Sequence, residues 1–247
     1  MPRIDLAGVR VILLDIEGTT TPLAFVHRTL FGYARENLET FLKANFNQPE
    51  VRNALQGLKE QHAIDNREGR RPPAWLADSP EAEMSTAVEY GLWLIDRDSK
   101  TGPLKALQGL IWQEGYQSGN LKGEVYSDVP QAFVRWRQQG KDVSIYSSGS
   151  ELAQRLLFRT TESGDLTEYI CAFFDTRIGA KTSPESFQRI ASVKGYREDQ
   201  FFFLSDSPAE LEAARSVEMR TALVVRAPAK AAPTSGHPIV HSFDELS

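Results

Sequence analysis

Much that other functions require is scarce in this chain. It has one cysteine, Cys171, among 247 residues. A single thiol makes no internal disulfide, which fits a reducing compartment. Cys171 lies in the apolar run Tyr169-Ile170-Cys171-Ala172-Phe173-Phe174, and the expectation is a small buried core residue. Long apolar runs are missing too. The longest are strand-sized, far below the ~18 residues of a spanning helix. Met1-Pro2-Arg3-Ile4-Asp5-Leu6 lacks the apolar stretch of a signal peptide. No membrane partner is therefore expected, and the expected location is cytoplasmic. Charge of one sign is not concentrated anywhere, and the formal net charge is −5. That argues against a nucleic-acid partner, which calls for a basic patch or stripe. A small phosphorylated ligand stays open, because a few local cations or a metal are enough for it. There is no internal repeat, no Walker A string and no GxGxxG, so a dinucleotide-binding enzyme is disfavoured. The four histidines add little. His27 falls in a helical segment near the first acidic turn, where core or surface is the commoner role. His237 and His241 are four apart in a segment that reads as extended, so helical ligand spacing does not apply.

What is present is ordinary in amount and informative in order. Hydrophobic residues make up 41% and charged residues 25%, as in soluble globular proteins. Strand-like runs occur at 9–14, 142–146, 172–174, 200–204 and 221–225. Helix-like segments at 150–159, 184–193 and 208–216 separate the last four, which predicts βαβ units and a parallel sheet. Ser183-Pro184 and Ser207-Pro208 place a capping serine before a proline at the first helical position. Between the first two strands lie more than a hundred residues without strand alternation. Segments 25–43, 49–62, 79–96 and 104–118 read as helices, parted by Arg71-Pro72-Pro73, Asp78-Ser79-Pro80 and Thr101-Gly102-Pro103. A connection of that size is an inserted domain. The expected fold is α/β: a Rossmann-like three-layer core with a parallel sheet (residues 1–20 and 122–247), plus an α-helical cap inserted after the first strand (residues 21–121). Residues 227–238, rich in Ala and Pro, read as a surface loop, and 237–243 as a short piece returning to the sheet edge.

Two strings suggest chemistry. Val9-Arg10-Val11-Ile12-Leu13-Leu14-Asp15-Ile16-Glu17-Gly18-Thr19-Thr20 runs from a strand into two acids and a glycine, and Phe201-Phe202-Phe203-Leu204-Ser205-Asp206 ends a second strand on an acid. The carboxyl ends of parallel strands line the crevice where such sheets bind ligands. Read alone, Asp15 and Glu17 are equally a pair of turn-forming acids beside a glycine of positive φ. Ser147-Ser148-Gly149-Ser150 offers hydroxyl and N–H donors to an anion, or simply caps a helix. Lys181 stands just before a helix, where the macrodipole disfavours a cation, so it serves either an anion or solvent. Asp206, with Glu210 one turn on, is a site acid or an N-cap. The order is more specific than any member: acid pair, hydroxyl, lysine and acid, each after a separate strand. This is a phosphoryl-transfer constellation, with a carboxylate nucleophile, a second acid, and donors plus a metal on the phosphate oxygens.

At these positions the chain resembles the haloacid dehalogenase superfamily of phosphatases. It departs from the general pattern in having Glu17, not Asp, two residues after the nucleophile. Asp15-Ile16-Glu17-Gly18-Thr19-Thr20, Tyr146-Ser147-Ser148-Gly149-Ser150, Phe173-Phe174-Asp175-Thr176-Arg177-Ile178-Gly179-Ala180-Lys181 and Leu104-Lys105-Ala106-Leu107-Gln108-Gly109-Leu110-Ile111-Trp112 are similar to the enolase-phosphatase family of methionine salvage. The likeness runs over essentially the whole chain. It implies a Mg²⁺-dependent acireductone synthase that enolises 5-methylthio-2,3-dioxopentyl phosphate and then hydrolyses its phosphate. It implies Asp15 as nucleophile and metal ligand, Glu17 as a catalytic residue close to the metal and contributing its backbone carbonyl to it, Asp206 as the other metal carboxylate, and Ser147, Ser148 and Lys181 as substrate-binding residues. The partner is then a small phosphorylated diketone and the expected state a monomer. A related phosphatase acting on another monoester without enolisation is the alternative. A receiver-like phospho-acceptor module is disfavoured, because its aspartate follows a later strand and it has no large insertion. The cap aromatics Phe25, Phe31, Tyr33, Trp75, Tyr90, Trp93 and Trp112 are expected mainly as core packing, with contact to a methylthio group as the lesser role.

Overall fold

The computed structural model describes residues 4–227 and 236–247. The chain divides into two compact units, Met1–Phe25 with Lys122–Ser247, and Val26–Leu121. It starts with strand β1 (Val11–Leu14), all four residues of which are buried. One π-helical turn, Phe25–Leu30, then leads into the helices of the second unit. These are α1 (Phe31–Asn45), α2 (Pro49–Arg67), α3 (Pro80–Ile95) and α4 (Gly102–Gln117). The helix expected over 25–43 is thus divided, its first turn wider than α-helical.

Proline stands in the first turn of α2, α3 and α4, where the missing N–H has no intrahelical partner to lose. Ser79 caps α3 by accepting the Ala82 N–H at 3.1 Å. The unit packs through Leu38, Leu42, Leu55, Leu58, Leu107 and Ile111. Of the aromatics expected as packing, Phe25, Tyr90 and Trp112 are buried, and Phe31, Tyr33, Trp75 and Trp93 are half-buried. Asp65 is fully buried, and accepts the Tyr90 hydroxyl at 2.6 Å and Arg70 Nη1 at 2.8 Å. That arrangement satisfies an otherwise costly charge and ties the chain after α2 to α3.

The chain returns through α5 (Val129–Gln138), β2 (Asp142–Tyr146), α6 (Glu151–Arg159), β3 (Ile170–Phe174), α7 (Pro184–Lys194), β4 (Phe201–Ser205), α8 (Pro208–Arg215), β5 (Arg220–Val224) and β6 (Ile239–Val240). The six strands form one parallel sheet in the order β3-β2-β1-β4-β5-β6. Successive residues of a strand face opposite sides. Val11, Leu13, Phe201 and Phe203 pack with Phe187, Ile190, Leu211 and Ala214 from α7 and α8. On α5, Val129, Ala132, Phe133 and Trp136 recur at helical spacing and are buried, with Phe133 meeting Phe158 of α6 at a ring separation of 6.0 Å. Helices cover the parallel sheet as sequence alternation predicts, in the expected Rossmann-like three-layer arrangement.

Cys171, Ser183 and Ser207 depart from the sequence expectation. Cys171 is exposed, because β3 is the edge of the sheet and its register with β2 shifts from Val143 opposite Ile170 to Ser144 opposite Ala172, which leaves Cys171 as the extra, unpaired residue. Its sulfur accepts Arg137 Nη1 at 3.0 Å. Ser183 and Ser207 stand at helix N-caps, yet neither side chain makes the capping bond. The Ser183 hydroxyl instead donates to Glu185. The returning piece pairs with β5 as β6, while most of the loop expected at 227–238 lies outside the described residues. No helix among the described residues is long and apolar enough to cross a membrane.

Candidate active site

Strand register gathers the site. Leu14 pairs with Leu204 of β4 and with Ile145 of β2, so the carboxyl ends of three neighbouring strands are level. Asp15 leaves β1 with its N–H on the Leu204 carbonyl at 3.0 Å. Asp206 leaves β4, and Ser147 leaves β2. The chain then folds back on itself after Asp15. The Ile16 carbonyl accepts the N–H groups of Thr19, Thr20 and Thr21 at 3.2, 3.0 and 2.9 Å, and Gly18 N–H reaches the Thr21 carbonyl at 2.9 Å. Gly18 has φ +68°, and a Cβ there would overlap the Asp206 carboxylate. Only glycine allows both this turn and the close approach of that acid. The Thr20 hydroxyl donates to the Asp15 carbonyl at 3.2 Å, and Thr19 Oγ1 stands 3.5 Å from Asp15 Oδ2.

Lys181 is buried, with 9% of its surface exposed, which excludes a solvated lysine. Its Nζ lies 2.5 Å from Asp15 Oδ1 and 2.6 Å from Glu210 Oε2. The loop that carries it is fixed at three successive carbonyls. Arg189 Nη1 donates to Ile178 at 2.9 Å, Tyr146 Oη to Gly179 at 2.9 Å and Ser186 Oγ to Ala180 at 2.7 Å. Ser205 Oγ holds Glu210 Oε2 at 3.0 Å. Burial alone would lower the lysine, but the carboxylates of Asp15 and Glu210 outweigh it and hold the ammonium above its ordinary value. Glu210 is pushed up, first by burial and then by the charge of Asp15, against the pull of Lys181. Two acids share one cation.

The carboxyl of Asp206 is pushed up to about 7, first by burial, then by the charges of Asp15 and Glu210. Glu17 adds to the rise and Lys181 opposes it. Among the described residues no hydrogen bond or ion pair reaches its carboxylate. No group of three His, Cys, Asp or Glu side chains among the described residues forms a ready metal cage. Mg²⁺ does not need one, since it takes one or two carboxylates with waters and substrate phosphate. Excess negative charge around Asp206, and the level strand ends that carry Asp15 and Asp206, fit such an ion.

Ser147 and Ser148 follow β2, and Glu17 lies in the turn after β1. Ser147 is buried, with its N–H on the Phe174 carbonyl at 3.1 Å and its Oγ accepting the Gly149 N–H at 3.3 Å. Ser148 is exposed in the same turn, and Ser150 caps α6 by accepting the Ala153 N–H at 3.3 Å. Glu17 is half-buried and bridges to Thr21 across the turn. His27 stacks edge-on against Phe31 at 5.8 Å. His237 and His241 lie either side of β6, bonded to Thr221 and to the Val225 carbonyl at 2.8 Å each, not as a metal pair. Sequence reading missed Thr19, Asp128 and Arg226. Arg226 carried a signal, since it too ends an apolar strand run, Thr221-Ala222-Leu223-Val224-Val225. Asp128 carried none.

Comparison with known proteins agrees with this geometry. A family model described as haloacid dehalogenase-like hydrolase matches residues 9–218. An enolase-phosphatase E1 of Synechococcus elongatus is 42% identical over 239 residues, covering 97% of this chain and 98% of the relative. One from Drosophila willistoni is 40% identical over 243 residues, 96% of each chain. Among solved structures, the UTR4 protein of Saccharomyces cerevisiae superposes with a TM-score of 0.76 at 32% identity, over 96% of this chain and 100% of that one.

Proposed function

We infer the chemistry from kinship: the chain belongs to the haloacid dehalogenase-like hydrolases and, within them, to the enolase-phosphatases. It is a phosphatase acting on a small phosphorylated molecule. In methionine salvage it converts 5-methylthio-2,3-dioxopentyl phosphate to 1,2-dihydroxy-5-(methylthio)pent-1-en-3-one and inorganic phosphate. The observation that supports this best is the buried Lys181 ammonium shared by Asp15 and Glu210, beside an Asp206 carboxyl raised to about 7.

Asp15, Asp206 and Glu17 are the residues that would hold Mg²⁺. When bound, the ion supplies positive charge for the phosphate oxygens and for the developing enolate. Enolisation moves the C1 proton of the diketone to the C2 oxygen. Lys181 is positioned to stabilise negative charge that develops on a substrate oxygen. In the second half-reaction an Asp15 carboxylate oxygen attacks phosphorus in line, and the bond from phosphorus to the C1 oxygen breaks. Glu17 donates a proton to that departing oxygen, and then takes one from the water that hydrolyses the aspartyl phosphate. Ser147 and Ser148 hold the phosphate oxygens from the end of β2.

The test is to follow phosphate release and enol absorbance together on the diketone phosphate, with and without Mg²⁺, against a generic phosphate ester. Both signals on the diketone phosphate, and both lost in chelator, are expected. Phosphate release without an enol signal, or equal turnover of the generic ester, would instead support a phosphatase of another monoester.

A further inference from the structure

We propose that Arg226 is a positioning residue for this reaction: it fixes, from outside, the turn that carries Asp15. The inference rests on the reading of Asp15 as nucleophile.

Arg226 stands just past the carboxyl end of β5. Its Nε and Nη2 donate to the Thr19 carbonyl at 3.0 and 2.8 Å. Its Nη1 donates to Asp128 Oδ2 at 2.7 Å. The guanidinium lies 4.4 Å from the ring centre of Tyr126 and 4.5 Å from that of Phe243. Most surface ion pairs contribute little. This one is different, with side-chain exposures of 7% for Arg226 and 9% for Asp128. Asp128 is itself locked, since it accepts the Phe243 N–H at 2.6 Å and the Ser242 hydroxyl at 3.1 Å. A rigid guanidinium fork is usually matched to a carboxylate or phosphate. Here two of its donors converge on a single backbone carbonyl.

That carbonyl belongs to the turn between Asp15 and Gly18 on one side and Thr21 on the other. The next carbonyl, of Thr20, accepts the Tyr126 N–H at 3.0 Å. Two successive carbonyls of the turn are therefore held by residues outside it. The same two residues, Thr19 and Thr20, direct their hydroxyls to Asp15 Oδ2 and to the Asp15 carbonyl. Any shift of the turn moves the nucleophile and the Gly18 backbone that lies against Asp206. In-line attack is sensitive to such displacement even when every reacting group is intact.

A merely structural arginine would change stability and leave turnover per folded molecule alone. Arg135 provides that comparison, because its Nη2 donates to the Phe243 carbonyl at 2.7 Å and it has no part in the turn. Arg226→Lys, Asp128→Asn and Arg135→Ala are to be compared for kcat and KM of phosphate release, for melting temperature, and for binding of beryllofluoride with Mg²⁺, a mimic of the aspartyl phosphate, read by fluorine NMR. Arg226→Lys keeps a cation for Asp128 but cannot place two donors on the Thr19 carbonyl. It is expected to lower kcat about 10- to 100-fold with KM changed less than about threefold, and to weaken beryllofluoride binding. Arg135→Ala is expected to melt lower with kcat within about twofold of wild type. A folded Arg226→Lys with wild-type kcat and beryllofluoride binding overturns the proposal. Should that variant not fold, Asp128→Asn reads the same anchor: a kcat loss of about three- to tenfold supports it and an unchanged kcat overturns it. Failure of the underlying reading looks different. In that case wild type releases no phosphate from the diketone phosphate, or Asp15→Asn still releases it.

Discussion

Lys181 Nζ stands 2.5 Å from Asp15 Oδ1 and 2.6 Å from Glu210 Oε2, so one buried ammonium neutralises parts of two carboxylates, one just past β1 and the other on α8. A raised lysine contributes stability at every pH below its ordinary value, and loses it only as pH rises through the higher folded value. The pair is therefore intact at neutral pH. Lys181→Met keeps the apolar stem and removes the charge, leaving Asp15 and Glu210 facing each other. The expected destabilisation is about 3 kcal/mol at about pH 8, and smaller at about pH 5, because lowering the pH favours the protonated form of the raised Glu210 carboxyl, which needs no partner. Thermal melts at the two pH values check this, and an equal loss at both contradicts it.

Asp206 yields a prediction of opposite sense. Its carboxyl moves from 3.8 to about 7 on folding, so between those values the folded chain holds a proton that the unfolded chain has released. Metal-free stability then falls as pH rises through that window. Asp206→Asn removes the cost. At about pH 8 the metal-free variant is expected to be more stable than wild type by about 2 kcal/mol, roughly half of what the whole shift would give because the group is partly solvent-screened. The advantage should shrink toward about pH 4. Added Mg²⁺ should raise the melting temperature of wild type and not of the variant, reversing the order. A variant less stable than wild type without metal at every pH would reject the assignment.

Strand ends were legible in the sequence because each is marked twice, by an apolar run and by the polar residue that ends it. Asp15, Asp206 and Ser147 were found that way, and so was the order of the sheet's helices and strands. What sequence could not give was the pairing between distant elements. Lys181 read alone is as readily a solvated lysine, and only the fold brings it against Asp15, 166 residues away along the chain. Cys171 failed for a related reason: an apolar run does not say which strand lies at an edge. The Thr19 carbonyl has no sequence signature at all, since any residue supplies a carbonyl, and so the purpose of Arg226 was hidden.

Gly18 tests the tightness of the turn. With φ at +68° any side chain strains the backbone, and a methyl group would also meet the Asp206 carboxylate. Gly18→Ala is expected to cost about 1–2 kcal/mol in stability and to lower kcat about 100-fold by displacing both acids. Steady-state kinetics beside a melting curve separate the two effects. Wild-type kcat in the folded variant would mean that the contact between Gly18 and Asp206 has no bearing on the reaction.

The two half-reactions come apart at Asp15. With Asp15 as the proposed nucleophile, phosphoryl transfer needs a carboxylate there, whereas enolisation needs a base and an electrophile, and neither has to be Asp15. Asparagine keeps the size and one oxygen, so it can still accept the Lys181 ammonium and stand in the metal shell, with weaker binding. Asp15→Asn is expected to slow phosphate release at least roughly a thousandfold, equivalent to about 4 kcal/mol of transition-state stabilisation. The C1 protons of the bound diketone should still exchange with solvent deuterium, since Lys181 and the metal remain to receive the enolate charge. Proton NMR in deuterated buffer reads this as loss of the C1 signal while inorganic phosphate stays flat. Phosphate release near the wild-type rate would reject Asp15 as nucleophile. If exchange stops together with release while Mg²⁺ still binds, Asp15 also serves the proton transfer, and a single carboxylate carries both steps.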